Sequence, residues 1–511
     1  MFSIIKKIGK TIDKLPRIPV WITLLCWVIV ALMVVYVLPP LSPSNPLHYR
    51  SDSSVFRMIG AYWLDGMLPY QDLFDHKGPL LYAAYALGVW LHPGKLGVYF
   101  EIALCLGVSY HYLFRIARLF LERSTSLLIT LIYVVICYVA FCGGSEDFSL
   151  PFVIIPLYYF IRHLKRGDSA DKVRNIAWFG TGLCLGIIFL IRPNNAAVLC
   201  ATVGFFGVSM LLNKQYWKFT CAVISSALGV VITFVPVLGY FYMHGALQDC
   251  IYGSYLFNFA FAGQGVANKT LMDWLEIAKY SAPFWLILIF GYLAYKNGCL
   301  SGICYSAMLT ISSLAGFCLV LGKGYLHYFI FYSPCVIFSL ICVTLCLKNA
   351  RNIKITISAY LASIAAYASF IIYGLIALRY GLYGAFMPEA HRKHRAAWKE
   401  YHECQKIQAC IPPNERDSVL LYNGQGDIYL YLGAKPPTRY FMLQEFLLSN
   451  VPSIRQTLEP SIVDSAPKWI IIRREQYQIS ALPLSQYITE KCEPVAYDST
   501  SGSFLLFRRK F

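Results

Sequence analysis

GPLLYAAYALGVWL, residues 78–91, is apolar enough for a membrane and too short to cross one. As a helix its fourteen residues reach about 21 Å, at 1.5 Å per residue. A hydrocarbon core is about 30 Å thick. Whether this segment spans decides the side of the membrane on which every later loop lies.

Around it stand eleven longer apolar runs, near 18–38, 97–120, 125–142, 148–164, 175–191, 195–212, 218–242, 281–296, 300–321, 326–347 and 355–379. Loop charge settles the short one. If 78–91 stays on the surface, one side of the membrane collects the basic N-terminus, Arg115/Arg118/Arg123, Arg162 to Arg174, Lys214/Lys218, Lys296 and Lys348 to Lys354. That is 19 Lys and Arg against 8 on the other side ahead of residue 380. If it spans, the clusters at 115–123 and 162–174 change sides and the bias largely collapses. Cytoplasmic loops carry the excess of Lys and Arg. The sequence therefore predicts eleven spans, a cytoplasmic N-terminus and a surface helix at 78–91. The run at 18–38 is too long for a signal-peptide core and is expected to be retained as the first span.

Composition agrees. The 511 residues are 57% hydrophobic and 14% charged, with mean hydropathy +0.53. A soluble chain carries about 25% charged residues. The net charge of +17 lies mostly in short loops between apolar runs, and no nucleic-acid-binding motif accompanies it. Most of the 17 Cys sit inside apolar runs, where Cys acts as a small hydrophobe. Cys404, Cys410 and Cys492 lie beyond the last span, where one disulfide is open to them and a full framework is not.

After about Arg379 no run is long enough to span. Residues 418–422, 469–472 and 504–507 have the look of short buried strands, with helix or loop at 427–432 and 445–448 between them. The division expected is a membrane domain over 1–379 and a small extracytoplasmic α/β or α+β domain over 380–511.

Ionisable residues collect at the outer ends of the spans. Asp52 lies in SDSSVF. Asp72, Asp75, His76 and Lys77 lie in PYQDLFDHKGP, and Glu146 and Asp147 close the short loop GGSED. Arg192 stands in IRPNN, and Lys323, Tyr325, His327 and Tyr328 stand in GKGYLHYF. Charge at membrane depth costs about 2.5–3.5 kcal/mol per residue and marks function by default. Each has a plainer reading: Asp52 as a helix cap, DHKGP as a surface turn, Glu146 and Asp147 as loop polarity, Arg192 and Lys323 as helix-end anchors. Their placement on one side argues for one outward-facing polar cavity.

Over roughly residues 20–345 this order of features resembles the GT-C membrane glycosyltransferases. Among them it is similar to the bacterial dolichyl-phosphate-mannose-protein mannosyltransferase-like enzymes and the aminoarabinose transferases. The shared marks are an acidic residue opening the first outer loop (Asp52), the segment GMLPYQDLFDHKGPLLY with Lys before Gly-Pro and a juxtamembrane helix, and an acid in the second outer loop.

The resemblance implies transfer of a sugar from a polyprenyl-phosphate carrier to a glycan, lipid or protein acceptor outside a bacterial cytoplasmic membrane. A lipid phosphate leaves without a metal if cations neutralise it, a part that Lys77, Arg192 and Lys323 suit, with His76 and His327 as further phosphate donors. Asp52 is the expected general base, and a single displacement inverts the anomeric centre. Glu146 or Asp147 would position the acceptor or a divalent metal. Asp75, Tyr325 and Tyr328 would line the pocket. No cofactor is required, and no ligand set of diagnostic metal spacing is visible. Two other classes compete. A flippase or transporter of lipid-linked sugars predicts mid-span charges and internal repeats. A glycan polymerase or ligase predicts Arg and His in a late outer loop, where 243–280 offers Lys269 and Lys279 as its cations.

Overall fold

The computed structural model describes residues 11–14, 16, 18–38, 41–45, 52–260, 269–321, 324–348, 353–387, 396–424, 426–442, 444–474, 484–497 and 502–510. Each of the eleven expected spans coincides with helix. Among the described residues, seven helices are long and apolar enough to cross a membrane: Val20–Val37, Leu96–Arg118, Arg123–Ala140, Pro193–Leu212, Tyr216–Met243, Gly302–Leu321 and Leu361–Phe386. Two bent pairs pass the same test together, which makes nine if each pair is one span. Leu271–Tyr280 with Ala282–Lys296 turns by 42°, and Leu326–Tyr332 with Pro334–Lys348 turns by 65°. The second bend falls ahead of Pro334, whose ring and missing N–H end the preceding helix.

The remaining two expected spans are less uniform. Asn175–Ile191 is 17 residues long. Ser145–Lys165 holds Glu146 and Asp147 in its first turn, Arg162, His163 and Lys165 in its last, and two prolines inside. Acids at a helix N-terminus and bases at its C-terminus both favour the helix dipole. The long helices leave apolar faces exposed: Trp217, Leu228, Val231 and Val235 are each more than half exposed along Tyr216–Met243. Such a face is out of place in water and suits lipid.

The chain divides into two compact units. The first comprises residues 1–35, 102–239 and 268–379. Its core is helix on helix; the Phe160 ring lies 4.6 Å from that of Phe206 and 5.0 Å from that of Trp178.

The second unit comprises 36–101, 240–267 and 380–511. The segment 78–91 forms the helix Pro79–Leu91, thirteen residues long, with Gly78 as N-cap and Pro79 at its first position. It packs against Ser53–Leu64. A Cβ on Gly60 would stand 2.6 Å from the Ala86 amide nitrogen, so this crossing needs glycine.

A four-stranded sheet completes the second unit, in the order β1 (Val419–Tyr422), β2 (Trp469–Arg473), β4 (Phe504–Arg509), β3 (Cys492–Pro494). β1 and β2 are parallel, with Val419 opposite Trp469. β4 runs antiparallel to both β2 and β3. Trp469 to Ile472 are all buried, as a strand covered on both faces requires. The three expected strands are present. The fourth, Cys492–Pro494, has no apolar signal of its own. The helices Gly426–Leu432 and Gln444–Asn450 take the places expected for helix or loop. Cys404, Cys410 and Cys492 are unpaired thiols.

Candidate functional site

The candidate residues form two groups, one in each unit. In the first unit the group is built on helix ends. Pro193 disfavours helix at the residue before it. Arg192 accordingly leaves the helix Asn175–Ile191 in extended conformation (φ −168°, ψ 115°). Its guanidinium donates from Nη1 to Glu146 Oε1 at 2.5 Å and from Nη2 to the Tyr328 hydroxyl at 2.9 Å. It also lies 4.8 Å from the centre of the Tyr328 ring. Asn195, in the turn that follows, donates to Ser149 Oγ at 3.0 Å and ties this turn to the helix bearing Glu146.

Glu146 and Asp147, interchangeable in the sequence, do different things. Glu146 meets Arg192. Asp147 turns back on its own loop, and its Oδ2 accepts the Cys142 amide at 3.1 Å and the Gly143 amide at 2.6 Å. An acid three residues past the N-cap reaching back to preceding N–H groups is half of a capping box. Asp147 Oδ1 is buried without a hydrogen-bond partner.

His327 stacks on Tyr325 (5.7 Å, 10° between planes) and meets Tyr328 edge-on at 4.7 Å. Arg192, Glu146, Tyr328, His327 and Tyr325 are thus gathered in one place. Lys323 lies outside the described residues.

In the second unit the group is local. Asp75 Oδ1 is 3.1 Å from His76 Nδ1, and His76 Nε2 is 2.8 Å from Lys77 Nζ. An ammonium can only donate, so His76 Nε2 accepts and the ring proton belongs on Nδ1, toward Asp75. The Tyr82 hydroxyl donates to Asp75 Oδ2 at 2.7 Å and accepts the Lys77 amide at 3.1 Å. The Tyr70 hydroxyl donates to the Lys77 carbonyl at 2.7 Å. Asp75, His76 and Lys77 are all buried. Burial alone would raise the Asp75 carboxyl, but Lys77 and His76 outweigh it and hold it well below the usual carboxylate range.

Tyr70 holds a left-handed backbone (φ 71°), a conformation costing a non-glycine residue about 1–2 kcal/mol. Gly253 lets the turn Tyr252–Leu256 pass against it, since a Cβ there would come within 2.5 Å of the Tyr70 ring.

Asp52 stands exposed at the N-terminus of Ser53–Leu64 and makes no side-chain cap bond. The capping explanation for this acid is therefore overturned. Its helix is anchored instead by Arg57, which pairs with Asp427 at 3.3 Å, and by the Tyr62 hydroxyl, which donates to the Ala434 carbonyl. Tyr70, Tyr82, Arg57 and Asp427 carry no motif. Tyr82 reads as one more aromatic in an apolar run, and Asp427 lies 370 residues from its partner. Among the described residues, no group of three or more His, Cys, Asp or Glu is placed to hold a metal ion.

Residues 76–240 match the family described as dolichyl-phosphate-mannose-protein mannosyltransferase. The match begins at His76 and takes in Lys77, Glu146, Asp147 and Arg192. No curated protein matches the sequence. Among solved structures, the chain is similar to ArnT from Cupriavidus metallidurans bound to undecaprenyl phosphate, at TM-score 0.60 and 12% identity over 95% of this chain and 97% of that one. The apo form of that protein gives TM-score 0.52, 11% identity and the same coverage. The oligosaccharyltransferase AglB from Archaeoglobus fulgidus, in complex with an inhibitory peptide and a dolichol-phosphate, gives 0.48 and 12% over 94% of this chain and 74% of that one. The chain has the GT-C fold, and over residues 76–240 its sequence resembles the dolichyl-phosphate-mannose-protein mannosyltransferase family.

Proposed function

We propose that this protein is a membrane glycosyltransferase that moves a sugar, with inversion, from a polyprenyl-phosphate donor to an acceptor on the extracytoplasmic face of a bacterial cytoplasmic membrane. The observation that carries the reading is the Lys77 cluster. It is a buried ammonium 2.8 Å from His76 Nε2, with Asp75 beside the His76 ring as counter-charge, at the foot of a helix too short to span. A preorganised cation of this kind stabilises a departing phosphate without reorganising when the charge develops. Lys77 and Arg192 take that role. Asp52, exposed and uncommitted to its helix, removes the acceptor proton. Glu146, held by Arg192, positions the acceptor.

The sidedness has its own support. The loops that charge counting puts outside, 39–96 and 243–280, and the region after 379 supply nearly all of one compact unit. Segments that fold together belong on one side of a bilayer.

The test is turnover. Purified protein is incubated with a panel of polyprenyl-phosphate sugars, and sugar transfer or hydrolysis is followed with and without a chelator, which also decides metal dependence. Wild type is expected to turn over at least one donor. Asp52→Asn is expected to lose transfer by about 10²–10⁴-fold, the usual worth of a general base, while inserting and folding normally. Near-normal activity of that variant would remove Asp52 from the mechanism. Movement of a lipid-linked sugar across vesicles without turnover would replace transfer by transport.

A further inference from the structure

The loop bearing Lys77 is built into the C-terminal domain. Phe74, three residues before Lys77, is buried in the same apolar cluster as Leu420 and Tyr422 of β1 and Ile470 and Ile472 of β2. Its backbone N–H donates to the Arg439 carbonyl at 2.9 Å. Its ring packs 5.4 Å from those of Tyr440 and Phe257. The Arg439 guanidinium lies 5.3 Å from the Phe74 ring centre and pairs with Asp249 at 2.9 Å. One residue on from Asp75, the His76 ring stacks on Phe446 (6.4 Å, 24°), and its carbonyl accepts from Asn258 Nδ2 at 2.7 Å.

Residues 74–78 have no regular secondary structure. Lys77's own backbone is held locally by the Tyr70 and Tyr82 hydroxyls, but the backbone groups of Phe74 and His76 are taken up by Arg439 and Asn258, far away in sequence. A loop of this kind is ordered only while those partners outweigh the conformational entropy of ordering it.

We propose that Phe74 and Arg439 form a clamp through which the C-terminal domain positions the Lys77 ammonium. The domain is then a working part of the donor site. Phe74 and Arg439 are positioning residues: they act through Lys77 and do not themselves meet the donor. The inference rests on the reading of Lys77 as a donor-phosphate ligand.

The experiment uses the full chain in detergent or nanodiscs, with Arg439→Ala, Phe74→Leu and Arg439→Lys. Arg439→Ala removes the cation from the Phe74 ring and from Asp249. Phe74→Leu keeps an apolar plug and so preserves folding. Hydrogen exchange at amides 74–77 is expected to speed up at least about ten-fold in the first two variants, while β2 and β4 stay protected. The donor KM is expected to rise by roughly ten- to a hundred-fold, the scale of a small misplacement of a binding group, with kcat changed much less. Arg439→Lys is expected to restore most of both.

Unchanged exchange at 74–77 would overturn the clamp. Faster exchange with an unchanged donor KM would overturn the positioning role. So would a parallel fall of kcat and thermal stability that Arg439→Lys does not rescue, since that is a structural role only. A wild type that turns over no donor sinks the transfer reading itself, while hydrogen exchange still judges the clamp.

Discussion

The two charged groups solve the same problem in opposite ways. Glu146, Arg192 and Tyr328 come from three distant parts of the chain and meet only because the helices carrying them pack. Asp75, His76, Lys77 and Tyr82 lie within eight residues, and one loop turned against its own helix makes most of their contacts. The first group joins an ion pair to an aromatic face and to the Ser145 hydroxyl, which donates to Glu146 Oε2 at 3.1 Å. The second is a graded chain from phenol to carboxylate to imidazole to ammonium. The difference is in what each stands to lose. A pair joined across helices depends on how they pack, whereas a chain within one loop shares each charge among neighbours held beside it.

The largest effect therefore belongs to the first group. Arg192→Met takes the guanidinium from buried Glu146, and removing one partner of a buried pair costs about 3–5 kcal/mol. Thermal unfolding in detergent is expected to show this as a large loss of stability. The double variant Arg192→Met with Glu146→Gln is expected to recover most of the stability and none of the transfer. If Arg192→Met alone is as stable as wild type, the pair is solvated and the contrast with the Lys77 group fails.

Lys77→Ala is expected to do the reverse. Asp75 keeps the Tyr82 hydroxyl and His76, so the fold is expected to lose less than in Arg192→Met. The donor loses a charge-assisted contact worth roughly 1.5–3 kcal/mol, or about ten- to a hundred-fold in kcat/KM. Steady-state kinetics against a polyprenyl-phosphate donor would check it. A variant that unfolds but binds donor normally would reverse the assignments of the two groups.

This contrast also explains what the sequence could show. The helices at the eleven apolar runs and the short helix Pro79–Leu91 follow from run length and apolar composition, because the bilayer imposes both directly. Asp75, His76 and Lys77 were legible as a motif because they are adjacent. Glu146 and Asp147 were legible as acids and not as individuals. Which one faces Arg192 depends on the first turn of the helix Ser145–Lys165, where one side chain reaches back to the loop and the other does not. Arg439 and Phe74 were invisible, since a backbone bond across 365 residues leaves no local trace. The strand Cys492–Pro494 was missed for the same reason: its partner β4, and not its own residues, makes it a strand.

The smallest effect is the pH dependence of the second group. Asp75 is held below the ordinary carboxylate range by Lys77 and His76. A depressed carboxyl contributes stability that is present above the unfolded value near 3.9 and is lost only as pH falls through its own lower value. Hydrogen exchange at amides 75–77, corrected for the intrinsic rate, is therefore expected to be the same at pH 7.5 and pH 5. A loop that loosens by pH 5 would mean that Lys77 and His76 do not outweigh the burial of Asp75, and the second group would then depend on its surroundings as the first does.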